Sequence, residues 1–138
     1  NAYYIVIIRK VGYYMGIFNF NRTVANEEKI EKQFEKVLAS GENVVIAYRL
    51  IRDLIILTNL RLIVIDKKGI TGRKKLIRSY PLRRISYYEI ENAPYFDIDS
   101  EVCIWFTGLK EPVKFTLSKG TNVFEFGKLL TTYALGDK

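Results

Sequence analysis

The chain has 138 residues, 49% of them hydrophobic and 27% charged, the size of one domain that buries about 68% of the surface of its unfolded chain. It contains no histidine and one cysteine, Cys103, which excludes Ser-His-Asp and Cys-His nucleophile systems, histidine metal clusters and an internal disulfide. The net charge of +7 is concentrated, because residues 61–84 hold nine Lys or Arg against Asp66 alone and the rest of the chain sums to −1.

At the start, Tyr3 to Ile8 reads YYIVII and is followed by Arg9 and Lys10. Apolar before basic is the reverse of a secretory signal, so no export signal is expected. No stretch approaches the roughly 18 apolar residues of a membrane span. A soluble protein is expected, and the lone thiol fits the reducing cytoplasm. Met15 followed by Gly16-Ile17-Phe18 resembles a natural start, so residues 1–14 read as an N-terminal extension, with Asn1 and Ala2 as a cloning scar, ahead of a single domain over 15–138. Six β-prone apolar residues should not stay free in water, and 3–8 are expected to pair with a sheet edge or a hydrophobic groove.

Next, Asn26 can cap a helix in which Ile30, Phe34, Val37 and Leu38 form one apolar stripe that ends at Gly41. Seven runs rich in β-branched and aromatic residues follow, near 44–51, 53–58, 61–66, 74–80, 84–91, 95–106 and 112–117, each bounded by turn residues. Asn59 in Thr58-Asn59-Leu60-Arg61 suits a tight hairpin, and Gly69 with Gly72 marks another. A second helix carries Val123, Phe124, Phe126, Leu129, Leu130, Tyr133 and Leu135, with Thr121 or Asn122 as cap and Gly136 as stop. Its wider apolar face predicts deeper burial than that of the first helix.

Residues 42–80 carry a LIRDL strand, a TNLRL hairpin and a DKKGITGRK turn in that order, and these resemble the bacterial pleckstrin-homology-like family. The likeness continues through Ile85 and Phe96-Asp97-Ile98-Asp99 to the last helix and covers about 15–135. It implies a mainly β fold with flanking helices: a partly open barrel of seven antiparallel strands in two near-orthogonal sheets, a C-terminal capping helix and an extra N-terminal helix. It also implies cyclic homo-oligomers, with five subunits as the expected number, and no settled ligand, cofactor or enzymatic activity. Eukaryotic relatives hold inositol phosphates with a basic first hairpin. Here only Arg49 and Arg52 precede that turn, and Arg52-Asp53 reads as a local turn pair.

Three surface readings remain. Lys67, Lys68, Arg73, Lys74, Lys75, Arg78, Arg83 and Arg84 are the candidate anion or lipid-headgroup site; the competing reading is solvated hairpin tips and guarded strand edges. Asp97, Asp99 and Glu101 alternate along one predicted strand and are candidate subunit contacts. A straight strand spreads carboxylates about 6–7 Å apart, too far to converge on a metal or to do paired-acid chemistry, and no metal site is assigned. Basic and aromatic residues interleave in Arg78-Ser79-Tyr80 and in residues 83–88, as in single-strand nucleic-acid binders, but strands favour aromatics anyway and nucleic acid is disfavoured. The expected partners are other copies of the chain, another protein or an anionic membrane.

Overall fold

The apolar runs at 54–57 and 62–65 do not alternate with polar residues, the composition of strands buried on both faces. The computed structural model, which describes residues 4–9, 14–18, 35–50, 53–68, 74–92 and 98–136, places these runs inside the larger of two antiparallel sheets. Its strands are β1 (Tyr4–Arg9), β2 (Tyr14–Phe18), β3 (Val44–Arg49), β4 (Asp53–Thr58), β5 (Arg61–Lys68) and β6 (Lys74–Pro81), in the order β2-β1-β3-β4-β5-β6. A 3-10 turn, Leu82–Arg84, leads into β7 (Ile85–Glu91), which forms a three-stranded sheet with β8 (Ser100–Phe106) and β9 (Val113–Leu117) in chain order. Helix α1 (Val123–Leu130) follows.

The larger sheet has two apolar faces. Ile55, Leu57, Leu62 and Val64 look inward to the main core, while Leu54, Ile56, Ile63 and Ile65 form a second cluster on the outer face with Val37 and Leu38 packed on it. In the smaller sheet the ordinary alternation holds: Val102, Ile104 and Phe106 are buried, with Glu101, Cys103 and Trp105 between them more exposed. Among the described residues the two sheets share no strand pairing; the barrel is partly open, and α1 fills the space between the sheets. Phe126 on α1 is fully buried and meets Tyr48 of the larger sheet edge-on at 5.5 Å and Phe115 of the smaller at 5.6 Å.

The seven expected strands stand within a residue or two of their places, apart from the sixth. That strand, expected from residue 95, begins at Ser100, with 95–97 outside the described residues. The N-terminal segment adds a hairpin: β1 pairs antiparallel with β3, Tyr4 opposite Arg49 and Ile7 opposite Ile46, and β2 pairs with β1. Of the first expected helix, residues 35–41 lie among the described residues: 35–37 are helical, and the helix ends there rather than at Gly41. Gly41 has a φ of +79°, which suits glycine.

Asn122, one of the two expected caps, caps the last helix, with Oδ1 accepting the N–H groups of Phe124 and Glu125. Two other details differ from expectation. Gly136 is not a left-handed stop, having φ −72° and ψ 175°; the α-helix ends earlier, at Leu130, and widens into a π turn over Thr131–Leu135. The Thr132 hydroxyl donates to the Lys128 carbonyl, a back-bond that competes with the regular ladder. The face is also less buried than its composition suggests, because Phe124, Tyr133 and Leu135 are exposed.

Candidate functional site

Among the described residues, β6 is the outermost strand of its sheet, with no strand paired to its other edge. Lys74, Lys75 and Arg78 are exposed on it, and the register sets Lys75 opposite Lys67 and Lys74 opposite Lys68. Arg73 lies outside the described residues. Arg83 and Arg84 are exposed in the turn beyond the far end of the strand, and eight residues of β6 span about 25 Å. Lys74, Lys75, Arg78, Arg83 and Arg84 therefore lie along a strand edge and beyond its end rather than converge on one pocket. This is also the pattern that keeps an edge from pairing with other chains.

The acidic alternation does not form one strand face. Asp97 lies outside the described residues, and Asp99 precedes β8, where its Oδ1 accepts the Lys119 N–H at 2.9 Å and ties down the turn before α1. Of the two described, only Glu101 is on the strand. It is exposed and stands directly opposite Glu91 of β7, with Glu89 one row away, so three carboxylates share the outer face of the smaller sheet. Among the described residues no cluster of three or more His, Cys, Asp or Glu side chains is placed to hold a metal ion.

The interleaved aromatics are occupied within the fold. Tyr80 stacks on Phe106 at 5.0 Å and Tyr87 on Trp105 at 5.4 Å, while the Tyr88 hydroxyl is 3.0 Å from the Gly127 carbonyl and 2.6 Å from Thr131 Oγ1. At the first turn, Leu50 N–H donates to the Asp53 carbonyl at 2.8 Å; Arg52 is outside the described residues. An open groove of about 720 Å³ runs between β7 and α1.

Sequence reasoning missed the most tightly bonded polar group. The Glu42 carboxylate, almost fully buried, receives both Arg61 Nε at 2.8 Å and Nη2 at 2.9 Å, the Thr58 hydroxyl at 2.7 Å and the Ala39 N–H at 2.9 Å. Arg61 also reaches the Val37 carbonyl and Ser79 Oγ. Burial pushes Glu42 up, but the Arg61, Ala39 and Thr58 hydrogen bonds outweigh it and hold the carboxyl below its ordinary value. The bond to Glu42 raises Arg61. Every partner is inside the fold, so this network is structural. Thr58, which also accepts the Leu60 and Arg61 N–H groups, closes the hairpin, and Asn59 reaches across to the Asn43 N–H. A Thr at the first position of a turn was a readable signal; a carboxylate 19 residues from its arginine was not.

Among the described residues, no helix is long and apolar enough to cross a membrane. The family profile described as "Bacterial PH domain" matches residues 16–134. An uncharacterized Bacillus subtilis (strain 168) protein, YjqA, is 35% identical over 83% of this chain and 93% of its own length. A Shewanella loihica PV-4 crystal structure, of a DUF1696 family protein with a pleckstrin-homology domain, superposes with a TM-score of 0.69 at 36% identity, covering 78% of this chain and 92% of that one. The crystal structure of a pleckstrin homology domain from Shewanella amazonensis SB2B gives 0.65 at 36% identity, covering 84% and 94%.

Proposed function

From the premise that the chain belongs to the bacterial PH domain family, we propose that it is a non-enzymatic interaction module that assembles with copies of itself into a closed ring. The observation that carries this reading is the exposed pair Glu91 and Glu101, set directly opposite each other on adjacent strands. Opposed like charges destabilise a sheet, and a cationic partner relieves them. The same chain groups exposed cations on a different sheet, at the β6 edge, while the described strands of the smaller sheet hold Lys114 alone. Two complementary surfaces at different places make a head-to-tail contact, which closes into a ring when its rotation allows. Native mass measurement at micromolar concentration in moderate salt is expected to give a multimer of five, with smaller species appearing at high salt as the contact is screened. A monomer in moderate salt defeats the reading.

A second reading is favoured by the register that gathers Lys67, Lys68, Lys74 and Lys75 at one hairpin end: the hairpin holds anionic lipid headgroups. Flotation with phosphatidylserine vesicles is expected to retain the chain at low salt and release it steeply as salt rises. Replacing Arg73, Lys74 and Lys75 by glutamine should abolish retention without unfolding the domain. Unchanged flotation of that triple variant removes this reading.

A further inference from the structure

We propose, resting on the self-assembly read above, that strand β6 of one protomer lies across the outer face of the smaller sheet of the next, with Arg78 on the Tyr87–Trp105 ring pair and Lys74 beside Glu91 and Glu101. The register sets three rows on that face: Tyr87 opposite Trp105, Glu89 opposite Cys103 and Glu91 opposite Glu101. The two rings are nearly parallel, 13° apart with centroids at 5.4 Å. Tyr87 is still 48% exposed, so the stack covers one side of its ring and leaves the other to solvent. A guanidinium stacks on such a ring and keeps N–H donors for a neighbouring carboxylate. Glu89, exposed and two residues along the strand, is about 6–7 Å away.

Spacing and charge select the occupant. Tyr87 and Glu91 are four residues apart on one face of β7, and Arg78 and Lys74 are four apart on one face of β6, so each pair spans about 13 Å. Both cations are exposed, and Leu76 between them is half-buried. Laid along each other, the two surfaces meet row by row: Arg78 on the rings, Leu76 on Cys103, Lys74 on the opposed carboxylates. Lys75 alternates to the other face of β6 with Ile77 and Ser79 and takes no part. The middle row of the sheet face already holds a cation, Lys114 opposite Cys103, whereas the Glu91–Glu101 row continues to Thr116. It is therefore the row that gains most from Lys74. Phosphate-bearing partners, lipid or nucleic acid, are repelled by the same three carboxylates.

Trp105 is the only tryptophan of the chain, so its emission reports on this contact alone. Native mass and Trp105 fluorescence are followed together as the full chain is diluted from micromolar concentration in moderate salt. In the parent, emission is expected to move to longer wavelength as the mass falls and the ring pair loses its cover. Arg78→Ala and Tyr87→Ala should each raise the concentration of half-dissociation at least tenfold, with Lys75→Gln close to the parent. Lys74→Glu and Glu101→Lys should each weaken the multimer, and the chain carrying both should regain it, a rescue that misfolding cannot produce. A monomeric parent overturns this contact and the ring reading together. A multimeric parent overturns this contact alone if Arg78→Ala dissociates as the parent does, if the charge swap brings no rescue, or if the emission stays constant while the mass falls.

Discussion

Replacing Phe126 by alanine is expected to destabilise the fold by about 4 kcal/mol, the largest effect of any single core truncation in α1. The ring is fully buried and touches aromatic residues from both sheets, Tyr48 and Phe115, in edge-to-face geometry. Truncation therefore removes buried apolar surface, two favourable aromatic contacts and the filling between the sheets at once. The cavity has little chance to collapse, because its walls are strands fixed by their own hydrogen-bond ladders. Urea unfolding followed by circular dichroism should show a lower midpoint with an unchanged slope. Phe124→Ala, two positions away on the same helix but 50% exposed, should cost less than about 1 kcal/mol. Equal losses for the two variants would mean that the helix does not join the sheets as described.

The strands were legible because local and global signals agree: each apolar run is closed by residues that cannot continue it, as at Thr58-Asn59 and Gly108-Leu109, where Gly108 adopts φ +94°. The continuous runs of β4 and β5 read as strands, but their burial on two faces shows only in the structure. Legibility failed where a side chain takes a long-range partner. Asp99 looked like one member of an acidic strand because its period matched, yet its carboxylate serves the Lys119 N–H, twenty residues on. The helix end was misplaced because Gly136 is a strong stop signal while the π turn depends on a Thr hydroxyl and on Tyr88 from β7. Of the candidate surfaces, the basic residues could be counted in the sequence but their spread along an edge could not. The β7 groove needs two elements 39 residues apart, Tyr88 and Gly127, to come together.

Arg61→Leu is expected to cost about 3 kcal/mol, at the lower end of the range for breaking a buried ion pair, since the arginine keeps some solvent contact. The loss exceeds that of removing an ordinary surface ion pair because Glu42 stays behind, almost fully buried, with only the Thr58 hydroxyl and the Ala39 N–H left to hold its charge. Adding Glu42→Gln to Arg61→Leu should therefore restore part of the stability, the signature of an uncompensated charge rather than of lost packing. The parent chain should show the matching acid dependence. The folded-state value of Glu42 is depressed, while in the unfolded chain it returns to the ordinary value of an exposed glutamate. Between the two, the unfolded state binds more protons, so stability rises with pH. The contribution is complete above the unfolded value and disappears as pH falls through the folded one. Urea midpoints measured from pH 7 to pH 3 should fall less steeply in Glu42→Gln than in the parent. Parallel curves would show that the carboxylate is not held by Arg61.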